Sequence, residues 1–501
     1  MYIFCVFLFL SSFLFYLYLK NSFLLSFPCL FSIASVCFVC FLSYLILIKI
    51  LKSKEKSKTI LYVIGALFWL FLPAGRILKV FVTRNAILWE KMRNASVIVF
   101  VTVIFLCFFL GRRFSDEISS KINKVFSSFT MILVMIFGLD ILVKAIANSH
   151  NPCRPDLMQS SIVKLQKYPN VYHILLDAHS SNYVLKKYYD FDNREFYQKL
   201  RHNGFEVVEA SFSQYPATQM SVASMLNCKY LPAHGLSAMD LKYLRFNNKV
   251  FESFRANGYR VHVFDRTLQI SYGHQFKKAN SSNYALYWLW IQHTPIKWFF
   301  QRKFEKSMCL AHVNDIELDL EELKSAREKF GSYNNLFYAH IVCPHAPFVY
   351  GENGSFDISQ GLIGMFADNH GNLAKDDEHL SLLKQKYLST VKVIDKKVLK
   401  LIRTILSQYE EKEKPVIILH SDHGTCLTTI SPLLFDSRKI LPCQLNAEQE
   451  QLYGNLLSIY CPSSWQAEKT PLFLVNLYRF VFNNLFNEKY EYLENFCCVK
   501  D

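Results

Sequence analysis

Hydrophobicity is distributed unevenly along this chain, and that limits its possible folds more than any single motif does. Residues 1–150 carry five long apolar runs: Tyr2–Leu19, Phe23–Ile48, Thr59–Ala74, Ser96–Leu110 and Phe126–Ile146. A helix needs about 20 apolar residues to cross a bilayer, because hydrocarbon offers backbone polar groups no partner. The pattern predicts about five membrane helices within residues 1–148. The first run lacks a basic start and is followed at once by further runs, so it reads as an anchor, not a cleaved leader. After the linker Asn148–Pro155, short apolar runs alternate with charge and turn residues, which predicts one large α/β domain over residues 149–501.

The net charge of +15 sits mostly in the apolar part, where sixteen Lys/Arg face five Asp/Glu. The basic loop with Lys49, Lys52, Lys54, Lys56 and Lys58 and the one that starts at Arg112 and Arg113 belong in the cytoplasm. That places the amino terminus inside, and everything after Ile146 outside the inner (cytoplasmic) membrane. Arg76, Lys79, Arg84, Lys91 and Arg93 run against this count, and Ile77–Trp89 is read as an amphipathic stretch in the interface. Basic residues beside apolar spans point to a lipid bilayer as partner. No basic stripe interleaved with aromatics is present, so no nucleic acid is expected. Asp140, near the end of the fifth run, reads as an exit-interface residue, which leaves a transporter unsupported.

Five of the fourteen cysteines (Cys5, Cys29, Cys37, Cys40, Cys107) lie in apolar runs. The other nine are irregularly spaced, and the one Cys-x-x-Cys, Cys37–Cys40, is inside a run, so a zinc knuckle is not expected. Disulfides are possible outside the cytoplasm, but their pairing is not readable. Oligomeric state has no signal.

In the second half, strand-like runs alternate with helical ones. Val171–Leu176, Phe205–Val208, Val261–Phe264, Leu336–Val342 and Pro415–Leu419 read as strands. Phe196–Asn203, the stretch from Thr218 to Asn227, Asn247–Asn257 and Leu382–Leu406 read as helices, two of them stopped by Gly204 and Gly258. Such alternation predicts a mostly parallel central sheet sandwiched by helices, with ligands beyond the carboxyl ends of the strands. Asp177, His345 and the pair Asp422–His423 all fall just after predicted strands.

Asp422-His423-Gly424 offers two metal-type ligands and a turn glycine, which suits zinc or manganese. Thr218 opens a helical run whose amide end favours an anion. Taken singly, each residue is read as turn or cap chemistry: Thr218 as an N-cap, His340 as a core histidine within a strand.

Four segments in order carry more weight: Tyr168-Pro-Asn-Val-Tyr-His-Ile-Leu-Leu-Asp177, Tyr215-Pro-Ala-Thr218-Gln-Met-Ser-Val-Ala-Ser-Met-Leu-Asn227, Phe337-Tyr-Ala-His-Ile-Val-Cys-Pro-His-Ala-Pro-Phe348 and Ile417-Ile-Leu-His-Ser-Asp-His-Gly424. Together they resemble sulfatase-like membrane proteins of the alkaline phosphatase superfamily, such as lipoteichoic acid synthases and lipid A phosphoethanolamine transferases. The likeness covers residues 165–480 and extends to the five-span anchor. It implies one or more divalent metal ions, zinc or manganese, held by Asp177, Thr218, Asp422 and His423, with Thr218 as nucleophile and His345 contacting substrate. It further implies transfer or hydrolysis of a phospho-head group on envelope lipids or glycans. The chain departs from sulfatases proper, having no Cys/Ser-x-Pro-x-Arg signature at Thr218, and from the phosphoethanolamine transferases, having no histidine after His423. A sulfuric or phosphoric ester hydrolase and a non-catalytic envelope-assembly protein remain as alternatives.

Overall fold

The computed structural model describes residues 42, 44–63, 106, 108–149, 167–232, 236, 238–265, 297–356, 376–428, 438–462, 465 and 473–499. The chain divides into two units, Met1–Gln159 with Asn280–Met308, and Ser160–Ala279 with Cys309–Asp501.

In the first unit, buried polar side chains stand beside exposed apolar ones. Ser57, Thr59, Ser119, Asn123, Ser127 and Thr130 are buried, while Ile46, Ile50, Phe109, Val125, Met135 and Ile136 are exposed. The polar groups pair with one another: Thr59 Oγ1 lies 3.0 Å from Asn123 Oδ1, and Tyr62 Oη 2.9 Å from Ser127 Oγ. Among the described residues no helix is long and apolar enough to cross a membrane. The expected span Tyr2–Leu19, most of the next three and the stretch Ile77–Trp89 lie outside the described residues; Phe126–Ile146 falls within the helix Asp116–Ser149.

The second unit is built on a six-stranded sheet. Its strands are β1 Val171–Leu176, β2 Glu206–Phe212, β3 Arg260–Asp265, β4 Asn335–Ile341, β5 Val416–His420 and β7 Gly454–Tyr460, in the order β2-β7-β5-β1-β4-β3. A separate ribbon pairs β6 Arg438–Ile440 with β8 Cys497–Val499. Strands β3, β4, β1 and β5 run parallel, with Asp265 opposite His340 and Leu175 opposite both His340 and His420. β7 is antiparallel to β5, and β2 to β7. The predicted parallel strands are all present; β7 was not foreseen, and neither was the long helix Lys297–Lys324.

Side chains of a strand alternate between faces, which sorts this sheet into two chemistries. Tyr172, Ile174 and Leu176 point to one face with Phe337, Ala339, Ile341, Ile417 and Leu419, against Ile316 and Leu320 and the apolar stripe Ile394, Val398, Ile402 and Ile405 of the helix Asp377–Ser407. Val171 and Leu175 share the other face with Leu336, Tyr338, Val416 and Ile418. That face packs on Val222 and Met225 of the helix Thr218–Leu226, on Phe251 and Phe254, and on Leu477 and Val481. Emptying one such position, as in Ile418→Ala, would cost about 2–5 kcal/mol. By the same alternation His173, His340, His420, Asp177 and Asp265 share the second face, where the helix Thr218–Leu226 lies. The cysteines Cys228, Cys343, Cys426, Cys443, Cys461, Cys497 and Cys498 are free thiols.

Candidate active site and metal centre

Three parallel strands bring carboxylates to one end of the sheet. Asp177 directly follows β1, Asp422 lies two residues past β5, and Asp265 ends β3. Asp177 is anchored through its backbone, its N–H donating to Ile341 O at 3.0 Å and its carbonyl accepting from the His345 N–H at 2.9 Å. Ala178, next in line, takes a left-handed φ of 63°. Its N–H thereby donates to Asp422 Oδ1 at 3.2 Å, which locks the two carboxylate-bearing turns together.

Gly424 has a steric reason to be glycine. A Cβ there would sit 2.2 Å from Gln451 O and 2.5 Å from Gly454 O, and both are backbone atoms that cannot swing away. The bare turn lets the Gly424 N–H reach Leu452 O at 2.8 Å and lets Gly424 O accept from His423 Nδ1 at 2.7 Å. With its Nδ1 hydrogen committed there, His423 presents the Nε2 lone pair to the site.

The helix Thr218–Leu226 supplies the hydroxyl. Thr218 does not cap this helix, contrary to the single-residue reading: Ala217 is the N-cap residue, and no side chain caps that end. The Thr218 Oγ1 instead lies 3.2 Å from His423 Nε2. Ser221, one turn on, donates through Oγ to Asp422 O at 2.6 Å and so pins the helix start to the metal-type turn.

Around His423 Nε2 stand Asp422 Oδ2 at 3.5 Å and Asp177 Oδ1 at 3.7 Å. Both carboxylate oxygens are buried and have no hydrogen-bond partner. Unpartnered charged oxygens are costly to bury. Two of them, with an imidazole lone pair and an alcohol oxygen nearby, are donors of the kind that fit a divalent cation. Burial favours neutral carboxyl at Asp177, but His345, His340 and His423 outweigh it and hold the group well below the usual carboxylate range. Burial likewise disfavours charge on His423, while Asp422 and Asp177 raise it above an ordinary imidazole.

His340 is a buried histidine within a strand, as its place in the sequence suggested, but it also reaches the site. It is fully buried, yet its Nε2 lies 3.1 Å from Asp177 Oδ2 and its Nδ1 3.2 Å from Asp265 Oδ2. Ligand atoms of Asp177, His340 and Asp422 all lie within 4.8 Å of one another. The Nε2 of His340, however, is spent as donor to Asp177, whereas that of His423 is not. His423 is therefore the better ligand. Burial opposes charge on His340, but Asp265 and Asp177 prevail and raise it to about 10. The signal for Asp265 was legible: Val261-His-Val-Phe-Asp265 is a strand ending in Asp, like Ile174-Leu-Leu-Asp177.

His345 is half-buried beside Asp177, with Nδ1 donating to Ala346 O at 2.7 Å. His312, from the helix Lys297–Lys324, was also not foreseen. It is buried, its Nε2 has no partner, and burial and then His345 lower it to about 4. All five predicted site residues, Asp177, Thr218, His345, Asp422 and His423, thus gather at one end of the sheet.

No family model matches the sequence, and no curated protein does either. Among solved structures, the chain is similar to the C-terminal periplasmic domain of EptC from Escherichia coli in complex with Zn, at 12% identity over 64% of this chain and 83% of that one, TM-score 0.36. It is also similar to the integral membrane protein lipooligosaccharide phosphoethanolamine transferase A from Neisseria meningitidis, at 12% identity over 79% and 70%, TM-score 0.39. A candidate sulfatase from Bacteroides thetaiotaomicron matches at 12% identity over 65% and 72%, TM-score 0.40. The chain is thus similar to phosphoethanolamine transferases and to a sulfatase.

Proposed function

We propose that this chain is a membrane-anchored, metal-dependent enzyme that transfers or hydrolyses a phosphate-bearing head group of an envelope lipid or glycan through Thr218. One observation carries this reading: Asp177 Oδ1 and Asp422 Oδ2, buried and unpartnered, converge with His423 Nε2 beside the Thr218 hydroxyl.

Asp177, Thr218, Asp422 and His423 would hold the cation, zinc or manganese. Once bound, a divalent ion supplies a lowered hydroxyl pKa and Lewis-acid polarisation of a phosphoryl oxygen. The rest of the chemistry belongs to the chain's own residues. Ser221 holds Thr218 in line through Asp422, and the uncapped helix end offers amides to developing negative charge. As the bond from Thr218 Oγ1 to phosphorus forms, the hydroxyl proton goes to solvent and the ester P–O bond breaks. Protonated His345 gives its proton to the departing oxygen. Water or an acceptor alcohol then attacks the phosphothreonine, and Thr218 leaves as the alcohol it was.

The first unit supports the lipid part of the reading. Its buried polar seam and exposed apolar side chains suit a hydrocarbon surround. Tethering to a bilayer raises the effective concentration of a lipid-linked donor. The catalytic unit is assigned to the extracytoplasmic side of the inner membrane.

The test is to incubate the full chain with zinc and isotopically labelled envelope phospholipids, then map added mass by peptide mass spectrometry. Label on Thr218 is expected, with its mass naming the group. Turnover that persists in Thr218→Ala would defeat the reading.

A further inference from the structure

The metal-type turn is backed by a line of buried charged groups that the proposed chemistry does not use. Arg245 Nη2 donates to Asp265 Oδ2 at 2.9 Å and lies 3.2 Å from His340 Nδ1. Asp265 Oδ2 is itself 3.2 Å from His340 Nδ1, and His340 Nε2 is 3.1 Å from Asp177 Oδ2. All four residues are buried. They come from the helix Ala238–Phe246, from β3, from β4 and from the end of β1, so only the folded sheet assembles the line.

The hydrogen on His340 Nε2 follows from this geometry. If Nδ1 donates to Asp265, a second hydrogen on Nε2 is what Asp177 Oδ2, which can only accept, requires for its own bond. If Nδ1 accepts from Arg245, the ring's one hydrogen is again on Nε2. Either way a donor meets Asp177 Oδ2 and leaves Oδ1, the unpartnered oxygen, turned towards His423. A carboxylate with one oxygen held by an oriented histidine is a fixed monodentate ligand, and outer groups of this kind tune the metal affinity of the ligand they hold.

We propose that Asp265 and Arg245 act as positioning residues: through the Nε2–H of His340 they fix Asp177 so that a single oxygen is presented to the cation. This rests on the proposed metal centre. None of Arg245, Asp265 and His340 is among the residues that would hold the cation in the proposed centre.

The experiment measures zinc affinity of the full chain by competition with a chromophoric chelator, and follows cobalt substitution by its visible spectrum. His340→Leu removes the donor. His340→Gln restores one N–H near the same place. Asp265→Asn keeps volume while breaking the charge line. His340→Leu should bind zinc about ten- to a hundredfold more weakly, with His340→Gln recovering most of the loss. Asp265→Asn should weaken binding and shift the cobalt bands, and it should also lower the melting temperature of the metal-free protein, because Arg245 is left buried without its carboxylate. Equal affinity in wild type and His340→Leu overturns the proposal, as do equal losses in the Leu and Gln variants. Should His340→Leu not fold, an Asp265→Asn protein with unchanged affinity and unchanged cobalt bands overturns it. A wild-type chain that binds neither ion brings down the metal centre itself, an outcome distinct from the others because it is seen before any variant is made.

Discussion

Thr218 Oγ1 and His423 Nε2 lie 3.2 Å apart, although 205 residues separate them in the chain. Threonine at a helix start ordinarily spends its oxygen on the helix's own amides. Here the oxygen is turned away from the helix and towards a histidine whose other nitrogen is committed to Gly424 O. The contact directs an alcohol at a point that two buried carboxylate oxygens also face.

Replacing Thr218 by Ala should lower turnover of a bis(nitrophenyl) phosphate by about a thousandfold or more. Circular dichroism should be unchanged, since this half-buried hydroxyl caps nothing. Zinc affinity should drop only modestly, because Asp177, Asp422 and His423 remain. Steady-state kinetics on the purified variant decide this.

His345 can protonate a leaving group or hold a phosphate, and the leaving group separates the two. His345→Gln should slow an alkyl phosphodiester by about a hundredfold or more. A nitrophenyl diester, whose leaving group needs no proton, should be nearly unaffected. Equal slowing of both would assign the histidine to phosphate binding.

Zinc affinity should fall as pH falls. His423 binds its proton more tightly than an ordinary imidazole, because Asp422 and Asp177 more than offset burial. Proton and cation compete for the same lone pair, so the loss begins above the ordinary imidazole value of about 6.5 and steepens to about tenfold per pH unit. Chelator competition at several pH values measures the slope. At saturation of about 100 times Kd, zinc should add about 2.7 kcal/mol of stability to the second unit, a rise of roughly 5 °C in melting temperature.

Gly424→Ala should destabilise the second unit by about 3 kcal/mol, because the added carbon meets two carbonyl oxygens of the backbone. It should also cost zinc affinity, since Asp422 and His423 sit on the same turn. Urea unfolding and zinc titration of one preparation report both.

The full chain should stay with membranes through an alkaline carbonate wash. The exposed apolar side chains of the first unit, such as Phe109, Met135 and Ile136, have no aqueous means of cover among the described residues. Release into the supernatant would remove the lipid anchor from the functional reading.

Elements whose cause is local were legible in the sequence. A strand rich in branched residues ending in Asp, such as Val171–Asp177, needs only its own short apolar run to be recognised. The amphipathic stripe of Asp377–Ser407 likewise needs only its own period. Strand β7 was missed because Gly454–Tyr460 opens on Gly and Asn and is interrupted by Ser458, which leaves only a short apolar run, and its direction follows from pairing with β5.

What the sequence determined alone was the set of chemical groups, their order, and the strand ends and helix start that carry them. The fold decided which histidine does what. His340, His345 and His423 look alike as sequence, since each stands on or just after a strand. His340 gives its Nε2 hydrogen to Asp177, His423 keeps a lone pair turned inward, and His345 is left half-buried at the rim. A ring nitrogen becomes donor or acceptor according to what faces its other nitrogen, and those neighbours arrive from strands and turns far away in the chain.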